Sequence, residues 1–139
     1  MKDTDVAYCA GFFDGEGSIT FRKIRLKNGD SYGVLACAGN TDRDVLEFVR
    51  SLFGGRIKLN NRKWITKGRK PCYVLRMNTT SAIPFLVAIR PYLHVKAERA
   101  DLAIEYAETR YRTKTVPVSE IQRRSQFRER LLVLNHRGI

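Results

Sequence analysis

The chain has 139 residues, of which 26 are Lys or Arg and 14 are Asp or Glu, so its formal net charge is +12. This length fits one domain with a sizeable core. So strong a positive charge favours a polyanion, most often nucleic acid and less often an anionic membrane surface. No stretch approaches eighteen consecutive apolar residues, so the sequence predicts no membrane-spanning helix.

Three cysteines, Cys9, Cys37 and Cys72, lie in apolar or strand-like surroundings. Because their number is odd and their spacing fits no metal site, we expect reduced side chains and no disulfide. The N-terminal residues are acidic and lack the hydrophobic region of a secretory signal. We therefore expect an intracellular protein, in the cytoplasm or nucleoid or, if an organelle encodes it, in the stroma or matrix.

The first predicted element is a helix from about Asp3 to Asp14 that is apolar on all sides, which indicates burial. Small residues recur along it, namely Ala7, Ala10, Gly11 and Gly15. Such residues let a second helix backbone approach closely. Asp14 and Glu16 stand at the end of this helix, where the helix dipole disfavours negative charge. This placement favours a functional role over simple helix termination.

A hairpin is predicted next. Residues 18–22 alternate between polar and apolar side chains, as in a strand with one face on the core. Asn28-Gly29 is a strong hairpin signal, so a second strand is expected to return over about residues 32–38. On that second strand we expect Leu35 and Cys37 to face the core.

A second helix is predicted from about Thr41 to Phe53, since apolar residues recur there with a 3.6-residue period until Gly54-Gly55 interrupts them. A second hairpin covers about residues 56–78, and two further helices follow it. Residues 1–112 are expected to form the core domain. Residues 113–139 are expected to form a linker and a basic C-terminal helix that packs on the same domain.

The run Cys9-Ala10-Gly11-Phe12-Phe13-Asp14-Gly15-Glu16-Gly17 resembles the nine-residue signature of the LAGLIDADG homing endonucleases. The letter-for-letter matches are Ala10, Gly11, Asp14 and Gly17. Glu16 stands where aspartate is usual. The resemblance implies an α+β fold, an αββαββα core whose antiparallel, saddle-shaped sheet carries helices on one face, together with a C-terminal helix.

The signature occurs once in this chain. A chain with a single motif helix must find its partner helix in a second copy, so a homodimer with a two-fold axis between the motif helices is expected. The resemblance implies that the dimer interface includes Ala7, Ala10, Gly11, Asp14 and Gly15.

The positive charge concentrates on the two predicted hairpins. From Phe48 to Ala97 there are eleven Lys and Arg residues and no acidic residue. One basic run alone would suit a solubilising surface, but two hairpins of the same sign predict contact with nucleic acid. The resemblance implies that this partner is double-stranded DNA. The candidate DNA-binding residues are Ser18, Thr20, Arg22, Arg25, Lys27, Tyr32, Lys58, Asn60, Arg62, Lys67, Arg69, Lys70 and Arg76. A slip of one residue in strand register would exchange the two faces.

The predicted chemistry is metal-assisted hydrolysis of a phosphodiester. The resemblance implies that Glu16 binds the metal, that the Gly15 carbonyl is a further ligand, and that Lys96 acts with Glu16 on the active-site water or phosphate. By itself Lys96 could equally be an ordinary surface lysine at a helix start. Oxygen ligands suit Mg²⁺; Mn²⁺ is expected to substitute, and Ca²⁺ to support binding.

The family often has a polar side chain near the end of the second strand that orders solvent. Ala38 falls at this place, with Asn40 or Asp42 close by, so the identity of that group stays open.

The resemblance therefore implies a site-specific homing endonuclease that makes a double-strand break in a long, pseudo-palindromic DNA target. The alternatives are an intron-splicing maturase or a non-catalytic DNA-binding regulator on the same fold. A third class is a basic membrane-surface or ribosome-associated protein. Such a protein would be expected to carry an amphipathic basic helix, and the sequence shows this signal only in the tail.

Overall fold

A computed structural model describes residues 1–26, 29–60, 70–108 and 118–137. The elements are α1 (Asp3–Glu16), β1 (Gly17–Leu26), β2 (Gly29–Asn40), α2 (Arg43–Phe53), β3 (Arg56–Leu59), β4 (Tyr73–Asn78), α3 (Thr79–Ile89), α4 (Ala97–Glu108) and α5 (Val118–Arg137), with a 3-10 turn at Arg90–Tyr92. All strand pairs are antiparallel, in the order β1-β2-β4-β3. The predicted α+β fold and its αββαββα order are confirmed.

Helix α1 supplies one stripe of the core. Val6, Cys9, Ala10 and Phe13 recur at helical spacing and are buried. The Phe13 ring meets that of Phe85 edge to face, with centroids 5.2 Å apart. Burial, followed by the nearby Asp5 carboxylate, raises the pKa of the Cys9 thiol to about 11. This thiol is therefore an inert core group, and all three cysteines are free, as expected.

The turn from α1 into β1 requires a glycine because of packing. A Cβ at Gly17 would lie 2.3 Å from the Phe13 ring. Gly17, the last glycine of the motif, thus allows β1 to begin directly after α1 in contact with the Phe13 ring. No loop separates the acidic helix end from the sheet.

Strand pairing corrects the predicted orientation of β2. Val34 and Ala36 are buried on the helix side of the sheet. Leu35 pairs with Thr20 and Cys37 with Ser18, and both partners are exposed. Leu35 and Cys37 therefore lie on the face opposite the helices, and the expectation that they face the core was wrong. Both faces of β2 carry apolar residues, so periodicity alone did not show which face packs on the helices.

Helix α2 forms as the sequence predicts. The Asp44 N–H donates to the Asp42 side chain at 2.9 Å, which caps the helix start. Gly54 and Gly55 end it with φ values of 86° and 107°, a region that favours glycine. A Cβ at Gly55 would also lie 2.9 Å from the Arg76 carbonyl oxygen.

Helix α5 packs against β1, β2 and α4. Its Phe127 ring meets the Tyr106 ring of α4 with centroids 5.5 Å apart. The Asn135 amide donates to the Ile19 carbonyl at 3.0 Å. Arg124 is buried, and its Nε lies 3.3 Å from the Glu120 carboxylate one turn earlier. Within the described ranges, no helix combines the length and apolar character needed to cross a membrane.

Candidate active site and nucleic-acid interface

Asp14 ties the end of α1 to the start of α4. Its carboxylate accepts hydrogen bonds from the backbone N–H groups of His94 at 2.7 Å and of Lys96 at 3.0 Å. The Lys96 ammonium donates in turn to the Asp14 carbonyl. Lys96 also starts α4, since its carbonyl accepts from the Ala100 N–H at 2.9 Å. The motif aspartate therefore acts as an N-terminal cap for a helix more than eighty residues away in the sequence.

These contacts set the ionisation of both residues. Burial alone would raise the pKa of the Asp14 carboxyl, but the amides of His94, Lys96 and Val95, with the Lys96 charge, hold it below its ordinary value. Burial, followed by the charge of Arg99, lowers the pKa of the Lys96 ammonium, while Asp14 and Glu16 act in the opposite sense. Lys96 is only 7% exposed, so it is not the surface lysine that the sequence left possible.

Glu16 is the last residue of α1, and its side chain is exposed. Gly15 beside it is exposed as well. Because the last carbonyl groups of a helix have no partner within that helix, the Gly15 carbonyl belongs to a set that favours an outside ligand. Glu16 also acts on the Lys96 ammonium through its charge. The structure thus brings the three predicted site residues, Gly15, Glu16 and Lys96, to one end of α1.

The oxygen groups at this end fit a hard divalent cation. One carboxylate and one backbone carbonyl, both open to solvent, match the way in which Mg²⁺ binds through few protein ligands and keeps several waters. Among the described residues, no group of three or more His, Cys, Asp or Glu side chains could hold a metal. Within the described part of the chain, Glu16 and the Gly15 carbonyl are therefore the oxygen groups at this helix end that could hold such an ion.

One face of α1 carries small residues and lies open. Among the residues that the structure describes, a Cβ added at Gly11 or at Gly15 would meet no atom within 4 Å. Tyr8, one turn before Gly11, is exposed by 55%. Within the described part of the chain, α1 is therefore covered by its own chain on one side, and its burial against a second helix stays a prediction.

Two residues of the predicted dimer interface need correction. Ala10 is fully buried in the core of its own chain, so it is not available to a partner. The Asp14 carboxylate is occupied by the amides before α4 and braces its own chain. Ala7, Gly11 and Gly15 remain at the surface or half-buried.

The face of the sheet opposite the helices, called here the open face, is rich in basic and polar groups. Its exposed members are Ser18, Thr20, Arg22, Arg56, Lys58, Arg76 and Asn78. Arg22, Arg56, Lys58 and Arg76 line one hollow together with the first turn of α3. Asn60 follows Lys58 with the same strand parity and is half-buried. Four arginine and lysine side chains thus converge where a phosphate-rich ligand could lie.

Not every predicted DNA contact lies on the open face. Tyr32 is buried on the helix side, where its carbonyl accepts a hydrogen bond from the Tyr106 hydroxyl. The Arg128 guanidinium carbon lies 5.6 Å from the centroid of the Tyr32 ring. The assignment of Tyr32 to DNA was wrong. Because side chains alternate along β1, Arg25 lies on the same face as Phe21, which is the helix side, and the Arg25 side chain is exposed there. Lys70 is exposed. The remaining predicted contacts lie outside the residues that the structure describes: Lys27, Arg62, Lys67 and Arg69.

The residues near the end of β2 leave the solvent-ordering group as an open prediction. Ala38 is buried on the helix side, and the Asn40 side chain accepts from the Asp42 N–H at 2.8 Å. Arg56 is a site residue that the candidate set missed. Its alternation with Lys58 on a four-residue strand could have revealed it.

Replacing Asp14 with Ala should lower the free energy of unfolding at pH 7 by roughly 2 kcal/mol, because the start of α4 loses its cap. The folded-state pKa of Asp14 is lowered. Its stabilising contribution is therefore present above the unfolded-state pKa of about 3.9 and is lost as the pH falls through the folded-state pKa. Thermal unfolding of both proteins at pH 7 and in acid measures this.

The matched control is Asp3→Ala, at an exposed position in the first turn of α1. It should change the Tm much less. A difference between wild type and Asp14→Ala that stays constant from neutral pH into acid would contradict the capping role.

With this geometry in view, comparison with known proteins identifies the class. Residues 3–89 match the family model of the LAGLIDADG-like domain. The chain belongs to this family, and the predicted membership is confirmed. No curated protein sequence matches the chain.

Solved structures share the fold at low sequence identity. The homing endonuclease I-CvuI in complex with the I-CreI target superposes with a TM-score of 0.76 at 18% identity, covering 95% of this chain and 83% of that one. The archaeal intron-encoded homing endonuclease I-Vdi141I with DNA gives 0.76 at 20%, covering 96% and 86%. The LAGLIDADG homing endonuclease I-GzeII with its DNA target gives 0.66 at 16%, covering 92% of this chain but 44% of that one.

Proposed function

We propose that this protein is a site-specific homing endonuclease that acts as a homodimer and cuts both strands of a long, pseudo-palindromic DNA target with a divalent metal. The observation that carries the proposal is the exposed Glu16 at the end of a helix whose outer face is open, beside a sheet face lined by arginine and lysine. The known proteins of this fold described above were solved with DNA.

Binding would follow from the open face. Arg22, Arg56, Lys58 and Arg76 neutralise phosphates or donate to guanine, and Asn78 matches adenine. The sheet would lie along the major groove of one half-site, and the second copy would read the other half-site across the two-fold axis.

Two-fold assembly has two supports besides the single motif. Among the described residues, no atom lies within 4 Å of a Cβ added at Gly11 or Gly15, so this stripe has room beside it for a partner helix. The chain also spans most of the I-CvuI and I-Vdi141I chains but less than half of the I-GzeII chain. A chain of this size would need a second copy to match the latter.

Around the scissile phosphate, the chain's own groups have distinct roles. Glu16 and the Gly15 carbonyl would hold the metal, for which Mg²⁺ is the expected ion and Mn²⁺ a substitute. The bound metal would supply an activated water and charge stabilisation. Lys96, held on the Asp14 carbonyl, places a buried positive charge beside Glu16, where it would stabilise negative charge on the phosphate. Asp14 holds the end of α1 against the start of α4, and its role in the proposed reaction is to position Lys96.

A non-catalytic regulator or a splicing maturase on the same fold is the alternative. The charge of Glu16 acts on the Lys96 ammonium, and binding DNA by the open face alone requires neither residue. This electrostatic link supports the enzyme.

A plasmid assay tests the proposed function. DNA that carries a duplex selected on the protein should be linearised with Mg²⁺, remain intact with EDTA, and be bound but cut poorly with Ca²⁺, which fits an oxygen site more loosely. Gel electrophoresis of supercoiled, nicked and linear forms measures the outcome. Binding without cleavage under every divalent ion would point to the regulator instead.

A further inference from the structure

The open face contains apolar side chains that a purely electrostatic DNA surface does not need. Leu35 and Val74 are half-buried and pair with residues of the open face. Neither belongs to the core or to the partly buried hydrophobic residues that pack on it. Among the described residues, core packing therefore does not account for the apolar character of Leu35, which lies in the middle of β2.

Strand register places Leu35 in a defined row. Thr20 pairs with Leu35 on one side, and Asn78 pairs with it on the other. Thr20 and Asn78 are both exposed. The neighbouring row, two residues along, consists of Ser18, Cys37, Arg76 and Arg56. One row is thus apolar and amide-bearing, whereas the next is cationic.

These rows differ in the base edges that they fit. In the major groove, Asn suits the N6 and N7 of adenine, and an apolar side chain suits the C5 methyl group of thymine. Neighbouring strands are about 4.8 Å apart, so Leu35 and Asn78, on adjacent strands, are separated by between one and two base-pair steps of about 3.4 Å. These two side chains therefore match neighbouring base pairs of a step that contains an A·T pair. Guanine suits the cationic row, because arginine donates to its O6 and N7.

We propose that Leu35 is a specificity-determining residue, which selects thymine at one position of each half-site by packing on its C5 methyl group while Asn78 contacts adenine in the same step. The inference rests on the proposed function, since it names what one row of the DNA-binding face recognises. Leu35 has no polar atom in its side chain, so it favours thymine only through this methyl group.

The experiment removes the methyl group from the DNA and the side chain from the protein. A duplex is first selected from a randomised library on the wild-type protein in Ca²⁺. Each thymine of the selected site is then replaced in turn by deoxyuridine, which lacks only the C5 methyl. Equilibrium binding is measured for wild type, Leu35→Ala and Leu59→Ala.

Leu59→Ala is the matched control, because Leu59 is an exposed leucine of the same sheet with the opposite parity, paired with Tyr73. Wild type and Leu59→Ala should lose about fourfold in affinity for one deoxyuridine replacement in a half-site, the amount expected for one buried methyl group. Leu35→Ala should bind thymine and deoxyuridine duplexes equally. Circular dichroism should show the same Tm for Leu35→Ala as for wild type, since Leu35 is outside the core.

Two results would overturn the inference while leaving the proposed function intact: a wild-type protein indifferent to every deoxyuridine, or a Leu35→Ala variant that still discriminates about fourfold. Failure of the library to yield any preferred duplex would overturn the proposed function itself, and the specificity role of Leu35 with it.

Discussion

Glu16→Gln should reduce the rate of DNA cleavage on the order of a thousandfold or more while leaving affinity for the target nearly unchanged. The substitution keeps the size of the side chain and removes the charge that compensates the metal. Glu16 lies at the end of α1 and not on the open face, so contacts to bases and most phosphates are retained. Single-turnover cleavage at saturating protein, together with equilibrium binding in Ca²⁺, separates the two quantities.

Glu129→Gln serves as the control, since Glu129 is an exposed acid on α5. It makes the same chemical change and should leave cleavage at the wild-type rate. Cleavage by Glu16→Gln at a rate similar to that of this control would remove Glu16 from the reaction. Equal losses of binding and cleavage would instead make Glu16 a determinant of DNA affinity.

The order of elements was predictable because local signals agreed. Asp42 caps α2, Gly54 ends it, and polar residues alternate cleanly with apolar ones from Ser18 to Arg22. Each of these features depends on neighbours within a few residues. The motif was equally visible as a short local pattern, so the location of Glu16 at a helix end followed from the sequence.

The predictions that failed depended on which face of a strand a residue occupies or on contacts distant in the sequence. Strand β2 is apolar on both faces, and only its pairing with Ser18 and Thr20 shows that Cys37 and Leu35 lie on the open face. Tyr32 was placed on DNA for the same reason. The resemblance implied that Asp14 caps or braces the motif helix pair, but its actual partners could not be predicted, because the hydrogen-bond donors are 80 and 82 residues away in the sequence. No local pattern marks such a contact.

Helix α1 shows a third kind of limit. The sequence shows that it is apolar all round, but not which stripe its own chain covers. In the structure Ala10 lies on the covered stripe, and Gly11, its neighbour, lies on the open one. A one-residue difference therefore separates a core position from a candidate interface position, and only the packing of α1 on Phe85 and the sheet decides between them.

Gly11→Val tests the dimer, because it should affect the dimer and the monomer with opposite sign. In the described part of one chain, no atom lies within 4 Å of a Cβ at Gly11. Valine is also a better helix former than glycine by a few tenths of a kcal/mol, so the folded monomer should not be destabilised. Between two copies, the branched side chains would hold the helices apart.

Overpacking of this kind costs roughly 1–3 kcal/mol at each site, and the two-fold axis places the substitution on both sides, which gives roughly 2–6 kcal/mol for the dimer. Sedimentation at tens of micromolar should show a dimer for wild type and a monomer for Gly11→Val. Gly11→Ala, with a smaller side chain, should fall between them. Far-UV circular dichroism should be the same for all three.

Cleavage should follow dimerisation. Separation of the α1 helices moves the two Glu16 carboxylates away from a shared position, so Gly11→Val should lose double-strand cleavage even in the fraction that remains dimeric. Binding to a single half-site should persist, because the open face is unchanged, whereas the gain in affinity for a full site over a half-site should disappear. A wild-type protein that stays monomeric at these concentrations and still cuts both strands would show that one copy of Glu16 is sufficient, and the open face of α1 would then need another explanation.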